Sequence, residues 1–370
     1  MFIDFENTSE FLALCGHEDL RADEWLFICL ARSEEDKLDS LREGLSEKGV
    51  RFFGGIFPAL IDDAAICERG AIVQRVKLIA PAIAAQIDGS APVLGTPLPD
   101  LSDYSERPTC LVVSDFSCVA ITLLLEELFD KYGNDLNYFG AGAGNGNRQP
   151  SPVLFSNDGL FTGASLIAFI STGSQVELRH GWSRNSEPVI ATRTELNVVK
   201  ELNWEPAMKV YRELVGEQVA NSLLRQEDVP EAKRYPFGIA REDLEDVVRD
   251  PISATEDDAL VVLSGIPENS TMHVLKADND KLVEAVGQLG TAFDAQADAR
   301  ICLLFDCFSR ARLLANDFPR ELEAFVEAFR KQQPDCRIEG ALALGEISSD
   351  GNRFPDFHNK TIAAGMFYAD

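Results

Sequence analysis

The chain has 370 residues, 45% of them hydrophobic and 26% charged, which is the composition of a globular protein too long for one ordinary core. Its formal net charge of −27, from 34 Lys and Arg against 61 Asp and Glu, repels phosphate backbones and anionic lipid, so neither nucleic acid nor a membrane is an expected partner. Eight Cys without a CxxC, four His in all, no bilayer-length apolar run and a start (MFIDFENTSE) with neither basic nor apolar leader exclude a disulfide framework, a zinc site and a targeting segment, and point to a cytoplasmic protein with no metal and no cofactor.

In chain order, Trp25–Leu30 reads as a buried strand. A helix follows on the stripe of Leu38, Leu41 and Leu45, and Val50–Phe53 as a second strand ending in Gly54 and Gly55. Ser33, ahead of Glu34, Glu35 and Asp36, is the expected helix cap, and Gly49 the left-handed residue that ends the helix. Thr109–Ser114, a helix through Ile121, Leu124, Leu125 and Leu128, and Leu136–Phe139 repeat the arrangement, with the run Gly140–Gly146 at the exit and Gly133 after the helix. A different stretch follows: a polar alternation over Glu195–Glu201, a helix over Pro206–Val215, strands at Tyr235–Ile239, Leu260–Leu263 and Met272–Leu275, and a helix over Lys281–Leu289. It could be a degenerate fourth copy. The third clear copy has Arg300–Phe305, a helix through Phe318, Leu322, Phe325, Val326 and Phe329 capped by Asn316 or Asp317, then Cys336–Glu339 and Gly340.

A unit of strand, helix, glycine-ended strand and hairpin thus occurs three times, which marks a chain built by duplication. Hairpin tips are expected at Arg69-Gly70, Asp158-Gly159 and Asp350-Gly351, because glycine supplies the positive φ of tight turns. Asp88–Pro108 and Asn221–Lys233 read as linkers. The fold class is α+β (mixed α/β).

The residues resemble the FIST family, a paired FIST N and FIST C arrangement found in bacterial and archaeal signalling proteins and in one human F-box protein. The resemblance is carried by Tyr138-Phe139-Gly140-Ala141-Gly142-Ala143-Gly144-Asn145, by His180-Gly181-Trp182, and by Glu201-Leu202-Asn203-Trp204-Glu205-Pro206-Ala207 through Tyr211. Arg249-Asp250-Pro251-Ile252, Phe305-Asp306-Cys307-Phe308-Ser309-Arg310 and Gly345-Glu346-Ile347 add to it. It implies a FIST N-like domain over 22–206, a FIST C-like domain over 207–367, and a sensory role in signal transduction. The implied partners are a small, amino-acid-like ligand and an unidentified signalling protein.

Candidate ligand contacts follow, each with a plainer alternative. Gly140, Gly142 and Gly144, with Asn145, could converge backbone N–H groups on an anion, or could simply let strands approach closely. Their spacing is not a dinucleotide fingerprint and lacks the Lys of a phosphate loop. Arg310 suits a bidentate grip on a carboxylate, or pairs with a local acid. Arg249, with Asp250, could hold a ligand or pair across strands. Cys307 is a reactive thiol or a packed one. Glu346 holds a ligand or binds backbone amides at a strand end; Cys307, Glu346 and His358 could also form the nucleophile, base and orienter of a cysteine hydrolase. Trp182 and Trp204 line or plug the interface of the halves, and Asp115 stands in line with Asp306. The leading expectation is a cytoplasmic small-molecule sensor with no catalytic residues; the alternatives are an interaction scaffold and a cysteine-dependent hydrolase.

Overall fold

The computed structural model describes the chain apart from residues 16–19, 89–90, 102–103, 105–106, 119–120, 147–150, 225–231, 243–244, 350–353 and 370. Each repeat opens with an entry strand: Glu24–Ala31, Thr109–Asp115 and Ala299–Cys307. Each has a return strand parallel to it: Phe52–Phe57, Asn137–Ala143 and Arg337–Ala343. A parallel pair needs a crossover, and the helices Leu38–Glu47, Ile121–Tyr132 and Phe318–Gln332 lie in those crossovers. A closing strand then packs antiparallel on the other side of the entry strand: Ala71–Lys77, Ala164–Ile170 and Ile362–Tyr368. Both faces of the entry strands are covered, which is why they read as unbroken apolar runs.

The hairpin of each repeat leaves its own sheet. Leu60–Asp62 of the first repeat pairs with the return strand of the third. Leu154–Ser156 of the second pairs with the return strand of the first. Glu346–Ser348 of the third pairs with the return strand of the second. The exchange closes a ring of three sheets, and two of them, those of the second and third repeats, combine strands from both sides of residue 206. Phe57, Phe139 and Phe305, one from each repeat, meet in the common core, with the Phe305 ring centroid 6.0 Å from Phe57 and 5.1 Å from Phe139.

The segment between the second and third repeats is an antiparallel sheet whose strands include Val189–Glu195, Val198–Leu202, Leu260–Val262 and Thr271–Lys276, with the helix Ala207–Val215 on it. Among the described residues it has no parallel pair, so it is not a fourth repeat.

Local signals held at Gly49 and Gly70, whose φ values are +69° and +90°, and at Gly159, at +147°. The Asp158-Gly159 tip joins Leu154–Ser156 to the short strand Gly159–Phe161 rather than to Ala164–Ile170 directly. Ser33 does not cap the first helix. A 3-10 turn, Arg32–Lys37, precedes that helix, and the Ser33 hydroxyl donates instead to Glu34 and to the Glu68 carbonyl. The cause is Glu34, a buried carboxylate that also accepts the Gly70 N–H and pairs with Lys37. Asp317 precedes the third crossover helix but makes no side-chain cap bond there; its carboxylate accepts from Asn279 and Arg320. The first expected linker carries a hairpin, Ile83–Asp88 with Ala91–Leu94, and the second begins inside the helix Glu217–Leu224. The Asp350-Gly351 turn lies outside the described residues. Among the described residues no helix is long and apolar enough to cross a membrane.

Candidate functional site

Register aligns the repeats residue by residue. Asp115 stands opposite Ala143, and Cys307 opposite Ala343, so Asp115 corresponds to Cys307 and Ser114 to Asp306, one place away from the sequence expectation. In the second repeat Asp115 accepts from Ser117 N and Oγ at 2.9 and 2.7 Å and from Gly163 N at 2.7 Å. In the third repeat the Cys307 Sγ lies 3.3 Å from Ser309 Oγ and takes a backbone hydrogen bond from Lys360. The frame is the same, but a thiol replaces the carboxylate and Lys360 replaces Gly163. Gly163 has φ +61° and Lys360 +55°, so a lysine occupies a backbone conformation that suits glycine.

Around Lys360, the segment His358–Thr361 is buried throughout although all four residues are polar. Lys360 Nζ lies 3.1 Å from an Asp250 oxygen and 5.6 Å from the centre of the Trp182 ring, while Trp182 Nε1 donates to the Lys360 carbonyl at 3.0 Å. Thr361 donates from N and Oγ1 to Glu346 Oε2 at 3.3 and 2.6 Å. Burial raises the Glu346 carboxyl to about 8 against these hydrogen bonds. Burial, with the charge of Glu346, pushes the Cys307 thiol up to about 12. His358 sits across the hairpin from Glu346, and its Nδ1 has no hydrogen bond among the described residues. Burial, then the charges of Arg249, Arg241 and His180, hold it neutral, well below the usual imidazole range. No hydrogen-bonded relay joins Cys307 to His358 among the described residues, and a thiol at about 12 is a packed group rather than a nucleophile.

Arg310 is fully buried, and every donor is engaged within the protein. Nε and Nη2 bind Glu321 at 2.8 Å each, Nη2 also reaches the Leu282 carbonyl at 3.0 Å, and Nη1 donates to the carbonyls of His180 and Lys360. Burial and then Glu321 drive the neighbouring Asp306 carboxyl well above its usual range. The local-acid reading therefore describes Arg310, with Glu321 as the acid in place of Asp306 or Asp317. The guanidinium ties the junction, two helices and the Lys360 segment together.

The other candidates are packing and framework groups. A Cβ on Gly140 would lie 1.9 Å from the Val112 carbonyl oxygen. Gly142 N donates to Gly345 O at 2.7 Å and Gly144 N to Ile56 O at 2.8 Å, so these N–H groups do not converge on an anion. Asn145 donates to Glu35 and to Ser151. Arg249 is buried, held by the carbonyls of Gly265, Val248 and Phe357, and lowered by burial to about 10. It fixes the hairpin strand that carries His358. Cys307, Arg310 and Glu346 do come together around Lys360; Arg249 backs that cluster, and the glycine strand pairs with the Glu346 strand through Ala141.

Above the cluster opens a groove of about 670 Å³ lined by Arg179, His180, Trp182, Arg184, Arg241, Glu245 and Asp246. A recess of about 50 Å³ shares Arg179, Arg241, Glu245 and Asp246 with it and reaches His358. The junction strand Ser174–Arg179 pairs with the closing strand of the third repeat, Arg179 opposite Ile362, which brings His180 to the mouth of the Lys360 loop. Gly181, at φ +72°, turns the chain against Ala285 and Lys281 of the helix Asn279–Thr291. His180 Nδ1 accepts from Trp182 N at 2.8 Å, so its proton sits on Nε2, which is buried and without a hydrogen bond among the described residues. Burial lowers the His180 pKa. The floor thus offers an imidazole donor that faces the Glu245 carboxylate at 3.9 Å and the Asp246 backbone and, at His358 Nδ1, a ring nitrogen without a hydrogen bond among the described residues. The rim carries both signs of charge: Arg184 binds Asp246 through Nε at 2.9 Å and Nη2 at 2.6 Å, and Glu245 accepts the His180 N–H at 2.8 Å.

A larger groove of about 860 Å³, between Leu98–Leu101 and Lys131–Asp135, lies away from this cluster and brings together none of the repeat-specific residues. Among the described residues no group of three or more His, Cys, Asp or Glu could hold a metal.

Trp182 plugs the junction as expected. Trp204 does not: it is 76% exposed at a turn. The groove residues Arg179, Arg184, Arg241, Glu245 and Asp246 were not singled out from sequence, where they look like ordinary surface charges. Glu321 left a signal, an acid on the apolar stripe of Phe318, Leu322 and Phe325. The polar run His358–Thr361 between two apolar strands was another.

Residues 59–205 match the FIST N domain and residues 207–349 the FIST C domain. No curated protein matches the chain.

Proposed function

The chain belongs to the FIST family, and on that footing we propose that it is a small-molecule sensor whose ligand, an amino acid or another small carboxylate, binds in the groove above Lys360. FIST domains are associated with signal transduction and sensing. The observation that supports the ligand reading is the pair of buried ring nitrogens at the floor of a charged groove: among the described residues His358 Nδ1 has no hydrogen bond, and His180 Nε2 has only the Glu245 carboxylate at 3.9 Å and the Asp246 backbone near it. Buried polar atoms of this kind are costly unless water or a ligand satisfies them. Arg179 suits a carboxylate and Glu245 an ammonium; Arg241, paired with Asp356, and Asp246, paired with Arg184, frame them.

The groove draws on three separate segments: the end of the FIST N match, the start of the FIST C match, and the last hairpin. A ligand that touches all three favours the arrangement in which they are closed on one another, and a signalling partner reads that arrangement. Arg310 acts here as a positioning residue, because it holds His180 and Lys360 from behind. The eight free thiols support a reducing compartment, and we place the protein in the cytoplasm.

Thermal unfolding with free amino acids, their amides and their N-acetyl derivatives tests the reading. A ligand at a hundred times its dissociation constant stabilises the fold by about 2.7 kcal/mol. The free amino acid should stabilise and the capped forms should not.

A further inference from the structure

Among the described residues the two most exposed large apolar side chains, Leu196 at 79% and Trp204 at 76%, stand at opposite ends of one strand, Val198–Leu202. Both sit in tight turns where the backbone turns left-handed. Leu196 has φ +53°; Asn203 and Trp204 have φ +51° and +63° and occupy both central positions of the turn between paired Leu202 and Glu205. Two-residue turns with positive φ at both centres favour Asn-Gly. Asn203 fits that rule, and its side chain and N–H bond Ile190 across the strand. Trp204 does not fit it. A bulky side chain in this conformation costs on the order of 1 kcal/mol, and the exposed indole gains no burial in return. The Trp204 backbone N–H donates to Thr192 Oγ1 at 2.9 Å, which holds the backbone of the turn in place.

We propose that the Asn203-Trp204 turn is a docking point for a basic segment of a partner protein, with an Arg or Lys side chain stacked on the indole face. Trp is the strongest of the aromatic cation acceptors. The chain carries a net charge of −27, which draws in a basic partner and opposes a second copy of itself. Three carboxylates stand at the turn and its neighbours: the exposed Glu268, Glu205, which pairs with Lys209, and the partly exposed Glu201, which pairs with Arg193 at 2.9 Å, so three acids face two cations there. The turn lies between the two family domains, where the FIST N match ends at 205 and the FIST C match begins at 207. Docking there does not depend on which ligand the groove takes.

The test is a titration of the intact protein with hexa-arginine and with a neutral proline-rich peptide, followed by calorimetry and indole fluorescence. Trp204→Gly should unfold at a higher temperature than the wild type, because glycine relaxes the turn, yet bind hexa-arginine roughly tenfold more weakly. Leu196→Gly is the matched control: it relaxes an equivalent turn and should leave affinity unchanged. Equal hexa-arginine affinity in the wild type and Trp204→Gly overturns the proposal. So does Trp204-dependent binding of the neutral peptide with no preference for the basic one.

Discussion

Gly140 faces Val112 across a parallel strand pair so closely that a Cβ on Gly140 would lie 1.9 Å from the Val112 carbonyl oxygen. The first and third repeats reproduce this relationship: Gly54 against Ile28 at 2.0 Å and Gly340 against Leu304 at 1.8 Å. The glycines that mark the repeats are thus spacing devices. Gly140→Ala should destabilise the fold by about 1–3 kcal/mol or more, the usual cost of overfilling a packed interior. Urea unfolding reads it. An unchanged midpoint would mean that the strand pair can open without cost.

Arg310→Met leaves the buried Glu321 carboxyl without its partner. Breaking a buried pair costs on the order of 3–5 kcal/mol, whereas replacing both members by apolar groups is far milder. Arg310→Met combined with Glu321→Met should therefore recover much of the lost melting temperature. A double variant no better than the single would show that Arg310 acts through its carbonyl contacts alone.

Glu346 gives a pH signature. Its pKa is raised in the fold from 4.5 to about 8, so the folded form holds its proton after the unfolded chain has released it. Its contribution to stability is complete below pH 4.5 and is lost as pH rises toward 8 and through it. Glu346→Gln cannot ionise. Relative to it, the wild type should lose stability between pH 5 and 8, measured by melting temperature in matched buffers. His358 works on the acid side: its pKa is depressed, so its contribution is present above 6.5 and is lost as pH falls through the folded value.

The thiols should separate into two classes. Cys67 is partly exposed and the other seven, Cys307 among them, are buried. A thiol reagent should modify one group quickly in the native protein and the remainder only on unfolding. Fast modification of Cys307, mapped by peptide mass, would revive the hydrolase reading.

The three strand–helix–strand units were legible because parallel strands covered on both faces leave apolar runs, and crossover helices leave a stripe of Leu and Phe. The hairpin exchange was not, since nothing in Leu60–Asp62 or Glu346–Ser348 says which sheet will receive it. Pairing partners far apart in sequence are fixed by packing. Cys307, Glu346 and His358 were legible as a group worth watching, because strand ends in repeats are comparable places. Lys360 was not: its meaning depends on its alignment with Gly163, which only the register reveals. Trp204 misled, because an aromatic near a domain junction usually plugs it, and the chain instead spends a glycine position on displaying it.

The most direct test of the sensor reading is the melting temperature of the wild type and of Arg179→Ala across a panel of free amino acids. Arg179 lies on the groove rim, partly exposed, and its hydrogen bond is to the neighbouring Leu178 carbonyl, so its removal should leave the fold intact. The account predicts a rise in melting temperature with one class of amino acid in the wild type and a clearly smaller rise in Arg179→Ala. The same rise in both proteins, or none with any amino acid or small carboxylate, would contradict it.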